Sequence, residues 1–161
     1  MPSSSGGCAD SRTSSDLVTG PPAETPCVRT LHRVAFFETD AMRIVHHANY
    51  LRWFELARVE WLDEYHVPYR RYVEEGLHFA TTHIEIDFKS PARFDDRVTI
   101  NAWLAGLGGA SLAMDYCVEC EGRTLVRGRS EHACVDDAGR VRRIPADRRA
   151  NLQTALAPQP D

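Results

Sequence analysis

The sequence predicts an α+β domain in which one long helix lies on one face of an antiparallel sheet of about five strands. Three observations predict it. Between about Ala48 and Tyr65, the residues Tyr50, Phe54, Ala57, Trp61 and Tyr65 recur at helical spacing, and Leu51, Trp53, Leu56 and Leu62 widen the apolar surface, so the helix packs on more than one side. Downstream, four segments alternate apolar and polar residues, the signature of half-buried strands. A chain of 161 residues, 43% hydrophobic and 26% charged, suits one domain with an adequate core.

Residues 1–28 carry six Ser, three Gly and four Pro and few residues able to build a core, so they read as a disordered tail ahead of a single domain over 29–161. Asp10, Asp16 and Glu24 argue against a transit peptide, and no apolar signal region is present. Leu31 to Phe37 reads as the first strand. The helix follows, with Asn49 or His47 as candidate cap and Arg58 one turn from Glu55, placed to pair with it. A helical or irregular connection runs through Val67-Pro68 and Tyr72 to Gly76. Ile84, Ile86 and Phe88 then alternate with His83, Glu85, Asp87 and Lys89. After a Ser90-Pro91 break, Val98, Ile100, Ala102 and Leu104 do the same, as do Leu112, Met114, Tyr116 and Val118. A Glu121-Gly122-Arg123 turn returns the chain into Leu125 to Val135, so consecutive hairpins are expected. Asp137-Ala-Gly139 makes another turn, and Pro145 opens a short C-terminal helix carrying Leu152 and Leu156. A sheet of this kind leaves edges to protect, which side-by-side pairing in a dimer would do.

A net charge of −4 gives no reason to expect nucleic acid as partner, and no apolar run approaches the ~20 residues of a membrane span. Cys8, Cys27, Cys117, Cys120 and Cys134 form no disulfide framework, and no signal peptide precedes them, so a cytoplasmic location is expected. Cys117-Val-Glu-Cys120 lies in an alternating pattern where positions i and i+3 face opposite ways, so packing explains it better than a metal. There is no P-loop, dinucleotide fingerprint, serine elbow or HExxH site, and neither metal nor cofactor is expected.

The informative stretch is Phe37-Glu-Thr-Asp-Ala-Met-Arg-Ile-Val-His-His-Ala-Asn-Tyr-Leu-Arg-Trp-Phe-Glu-Leu-Ala-Arg58. A strand-like run ends at a carboxylate, a short loop carries two histidines, and the long helix begins at once. Asp40 can therefore face backbone amides at a helix start, which lack internal partners, carry the positive end of the dipole and polarise a carbonyl oxygen.

This pattern of Asp40, Ile44-Val45, His47, Asn49-Tyr50 and Glu55-x-Ala57-Arg58 resembles the hotdog-fold acyl-CoA thioesterases of the 4-hydroxybenzoyl-CoA thioesterase family, including relatives that act on acyl carrier proteins. A looser likeness continues through Gly122 to Arg129, Cys134 to Asp137 and Arg143-Ile-Pro145. The resemblance implies a hotdog fold, a long central helix wrapped by an antiparallel sheet, in homodimers or homotetramers that share the active site. It implies hydrolysis of an acyl thioester of coenzyme A or acyl carrier protein, with Asp40 as nucleophile or general base. The family usually has glycine where this chain has Arg43; a glycine takes φ > 0 without cost, so either the loop turns differently or strain has been accepted.

Asp40 and His47 are the candidate catalytic residues, His47 chiefly through its backbone amide and those of its neighbours toward Tyr50. Arg43, His46, Asn49, Tyr50 and Glu55 are the candidate substrate-binding residues. The plain alternative for Asp40 is a turn-maker, and for either histidine a capping role. Glu55 and Glu60 are the rival carboxylates, since a related branch takes its carboxylate from the central helix. Lys89, Arg93 and the arginines at 140, 142, 143, 148 and 149 are candidates for carrier phosphates, with a solvated surface as the plain reading of each. Two alternatives stand beside hydrolysis of a soluble thioester. One is a polyketide-pathway thioesterase releasing a carrier-bound chain, against which Asp40 argues because the enediyne members lack it. The other is a non-catalytic acyl-binding subunit.

Overall fold

In the computed structural model, which describes residues 17–18 and 20–156, helix α1 spans Ala48–Tyr65. The stretch is free of Gly and Pro and rich in Leu, Ala, Arg and Glu, and it stops at His66, just short of Pro68. Strands β1 (Cys27–Arg33), β2 (Leu77–Phe88), β3 (Arg97–Leu107), β4 (Ser111–Cys120) and β5 (Arg123–Asp136) form one antiparallel sheet in the order β1-β3-β4-β5-β2. Two shorter helices complete it, α2 (Tyr69–Glu74) and α3 (Ala146–Thr154), the latter entered from Pro145.

Two boundaries and one connection differ from the sequence expectation. Strand β1 begins at Cys27, within the stretch read as a tail, and Leu17 is buried; residues 1–16 of that tail lie outside the described residues. The first strand also ends at Arg33 rather than Phe37. Phe36–Glu38 instead form a 3₁₀ turn, because the Glu38 carboxylate takes the Ala35 N–H at 2.8 Å and leaves Phe36 and Phe37 exposed. The third difference is in connectivity. Strands β2 and β3 are not a hairpin: β2 pairs with β5 at one edge, and β3 pairs with β1 and β4. The Ser90-Pro91 break carries the chain between them past the start of α1, where Val45 N–H donates to Ala92 O at 2.8 Å.

One sheet face carries Val98, Ile100, Ala102 and Leu104 beside Leu112, Met114, Tyr116 and Val118, and α1 covers it with Trp53, Ala57, Trp61 and Leu62. Each large apolar side chain buried there contributes roughly 1.5–3 kcal/mol. The helix packs chiefly on β1 and β3. Toward β2 the inner face carries Phe79, Thr81, Ile84, Ile86 and Phe88, in phase despite the change of parity because the register shifts between Thr81 and His83.

Candidate active site

The loop before α1 is built by local hydrogen bonds. Asp40 N–H donates to Ile44 O and Arg43 N–H to Asp40 O, both at 2.9 Å, and a lone bridge joins Thr39 to Val45. Asp40 Oδ1 accepts the Met42 N–H at 2.8 Å, which orients the carboxylate, and its second oxygen has no partner among the described residues. Arg43 sits at φ 60°, the left-handed region that suits glycine, so the chain keeps a glycine's backbone and accepts the strain.

Glu38 holds this loop from behind. Its carboxylate accepts from Trp53 Nε1, from Ala35 N–H and from the His32 ring, each at 2.8 Å. Its carbonyl accepts from His46 N–H at 2.9 Å and from Asn49 Nδ2 at 2.7 Å. Burial alone would raise the carboxyl's pKa, but the His32, Trp53 and Ala35 donors outweigh it and hold the group below its ordinary value. Nothing in the sequence marked Glu38, whose partners come together only in three dimensions.

At the helix start, Asn49 N–H donates to His46 O at 2.9 Å and Tyr50 N–H to His47 O at 3.3 Å. The Ala48 N–H turns to His46 Nδ1 at 3.2 Å. The cap expected from Asn49 or from the His47 side chain is therefore supplied by the His46 ring, which stacks on His47 with centroids 4.1 Å apart. The His47 N–H meets no acceptor among the described residues, so the candidate oxyanion donor narrows from several amides to this one.

Asp40 and His47 line a common cavity of about 320 Å³, with Tyr50 and Phe88 forming apolar walls and Lys89 at its edge. Tyr50 is fixed there by its hydroxyl, which accepts the Ala92 N–H at 3.2 Å, and burial pushes its pKa up. Phe88 was not singled out as a site residue, whereas Lys89 beside it was a candidate for the carrier's phosphates and does line the cavity. The other named residues stand apart. Arg43 is exposed beside the mouth, His46 is engaged at the helix start, and Asn49 is buried as a brace. Glu55 lines a second cavity further along α1, and Glu60 accepts a hydrogen bond from Thr30 on β1. Among the described residues no ion pair joins Glu55 to Arg58, because the Arg58 side chain turns inward and is buried. Of the basic residues, Arg140 and Arg142 bond Asp136, Arg148 lies over the Tyr72 ring, and Arg149 donates to Gly108 O.

The cleft thus brings together a carboxylate oxygen and a helix-start amide N–H that have no partner among the described residues, the chemical types that a base or nucleophile and a carbonyl-oxygen donor require. Comparison with known proteins shows the family and the fold. The profile of the thioesterase-like superfamily matches residues 34–158. The acyl-CoA thioester hydrolase YbgC of Escherichia coli O6:H1 is 30% identical over 105 residues, covering 65% of this chain and 78% of that protein. A hypothetical protein from Thermus thermophilus, TT1821, superposes with TM-score 0.77 at 34% identity, covering 82% of this chain and 99% of its own. The BH1999 gentisyl-coenzyme A thioesterase superposes with TM-score 0.72 at 25% identity, covering 81% of this chain and all of its own.

Proposed function

Because the chain belongs to the thioesterase-like superfamily and has the hotdog fold its sequence resembles, we propose that it hydrolyses acyl thioesters of coenzyme A in the cleft between the Asp40 loop and the start of α1. Acyl-CoA thioester hydrolysis is the activity for which its relative YbgC is named. The observation that carries the site is the pairing of the half-exposed Asp40 carboxylate with the unpartnered His47 N–H in one cavity.

The thioester carbonyl oxygen accepts the His47 N–H, which strengthens as the oxygen gains charge; one such donor is worth roughly 10²–10³ in rate elsewhere. The free Asp40 oxygen then acts in one of two ways. As a base it takes a proton from water, the hydroxide adds to the carbonyl carbon, the C–S bond breaks, and the proton passes to the leaving thiolate. As a nucleophile it forms a mixed anhydride and expels the thiolate, and water then cleaves the anhydride. Lys89, at the cavity edge, and the exposed Arg43 and Arg93 beside the mouth meet the carrier's phosphates. His46 and Asn49 position the loop and helix start, and Tyr50 walls the acyl path. The protein works in the cytoplasm as a homo-oligomer in which β2, one of the two sheet edges, pairs with a second copy. Among the described residues no helix is long and apolar enough to cross a membrane.

The test is thiol release over a panel of short, long and aromatic acyl-CoA thioesters, with the matching acyl-carrier-protein thioesters as alternative carriers. Saturable turnover of acyl-CoA supports the proposal. Saturable binding with no thiol release from any carrier favours a binding subunit and contradicts it.

A further inference from the structure

A second cavity of about 130 Å³ lies between α1 and β2, lined by Arg58, Tyr116, Ser130, His132 and Thr81, with Glu55 at its exposed rim. Arg58 is 6% exposed, and its Nη1 has no hydrogen-bond partner among the described residues. Its guanidinium lies near the Tyr116 hydroxyl and 5.9 Å from the Tyr69 ring centroid, but no described carboxylate pairs with it. A buried guanidinium without a counter-charge is costly.

The other polar groups satisfy one another. Tyr116 OH and Ser130 Oγ are 2.8 Å apart, Ser130 Oγ and His132 Nε2 2.7 Å, and His132 Nδ1 and Thr81 Oγ1 3.3 Å. Burial and the nearby Arg58 push the His132 imidazole down to about 3, so it is neutral at ordinary pH and supplies no compensating charge. Arg58 is thus the donor left over in this cavity.

The cavity and the cleft draw their linings from successive stretches of α1 and β2. On β2, Phe88 lines the first cavity and Ile84 and Thr81 the second, all on one face. On α1, His47 and Tyr50 line the first, and Leu51, Phe54 and Arg58 continue the same helical stripe into the second. His47 and Arg58 are separated by roughly 16 Å of helix axis at ~1.5 Å per residue, and the arginine side chain leans back toward the helix start. A thioester carbonyl at the His47 amide therefore directs a medium-length acyl chain past Leu51, Phe54 and Ile84 toward the Arg58 guanidinium, whose unpaired Nη1 lies just beneath the cavity surface.

We propose that this cavity receives the far end of the acyl group and that this end bears a carboxylate accepted by Arg58, which makes ω-carboxyacyl-CoA thioesters the substrate class. The inference rests on the hydrolase reading above. Glu55, exposed at the rim, is screened by water and leaves the buried end of the cavity positive.

The test measures kcat/KM of the full chain on two matched series of coenzyme A thioesters, hexanoyl to dodecanoyl and adipoyl to dodecanedioyl. At the best length the ω-carboxy thioester is expected to exceed its methyl-ended match by at least about tenfold, the scale of one hydrogen bond to a charged group. Arg58→Met is expected to reverse the preference; should that variant not fold, Arg58→Lys, which moves the donor, is expected to shrink it. Equal or better hydrolysis of the methyl-ended thioester at every length overturns the inference while leaving the hydrolase standing. If no thioester in either series is cleaved, the wider panel of acyl groups and carriers decides the hydrolase reading separately. Calorimetric Kd values for the same uncleaved pairs then decide the inference: tighter binding of the ω-carboxy series supports it, and equal binding overturns it.

Discussion

Trp53 Nε1 donates to Glu38 Oε1 at 2.8 Å, tying the middle of α1 to the residue two places before Asp40. The same carboxylate takes Ala35 N–H and the His32 ring, while its carbonyl takes His46 N–H, so one side chain and its backbone fix both walls of the cleft. Glu38→Gln turns an acceptor into a donor facing these N–H groups, and is expected to cost ~1–3 kcal/mol of unfolding free energy, measured with denaturant. The carboxyl's folded pKa is depressed, so its contribution is present above the ordinary value of 4.5 and is lost as pH falls through the folded value; the variant is expected to show a flatter acid limb. An unchanged midpoint and acid limb would show that the brace is idle.

The sequence resolved some of this arrangement and not the rest, for physical reasons. The helix over 48–65 was readable because aromatic side chains at helical spacing permit no other pairing of faces. Although the strand expected to run up to them stops at Arg33, the placement of Asp40 and His47 in one loop ahead of the helix was readable, because the loop and the helix start are adjacent in the chain. Glu38 was not, since its partners come from β1, a turn and the helix; nor was Arg58, whose inward turn depends on a cavity made by β4, β5 and β2. Strand connectivity was misread because alternation shows that a segment is a strand, not which neighbour it takes: β2 crosses to β5 rather than pairing with β3.

Arg43, at φ 60°, stores strain in the loop. Arg43→Gly is expected to raise stability by about 1 kcal/mol, by removing a left-handed side chain's penalty, and to raise KM for acyl-CoA through the lost positive charge. A lower Tm would contradict the strain, and an unchanged KM would contradict the phosphate contact.

His132 gives the protein an acid sensitivity of its own. Its folded pKa of about 3 lies below the ordinary 6.5, so as pH falls below 6.5 the unfolded chain takes a proton that the folded chain refuses, and stability drops until about pH 3. Between pH 6.5 and 4.5, above the range where Glu38 acts, His132→Gln is expected to flatten the slope, leaving the part contributed by His66, whose pKa burial also lowers. Parallel stability curves for variant and parent would count against it.

Gly128 allows the Phe54 ring to lie against β5: a Cβ there would stand 2.3 Å from Phe54 Cε2. The ring has little room to retreat, being stacked on Tyr116 with centroids 4.1 Å apart. Gly128→Ala is expected to cost ~1–3 kcal/mol by overpacking, and Phe54→Leu in the same chain to recover part of it. A melting temperature equal to the parent's would show that the ring moves freely.

The most direct measurement is the turnover of Asp40→Asn on the best acyl-CoA substrate, taken with its melting temperature and its substrate Kd. The account predicts a fall in kcat of at least about 10²-fold with melting and binding unchanged, the pattern left when only transition-state stabilisation is removed. Near-normal turnover by that variant would contradict it and move the chemistry to another carboxylate.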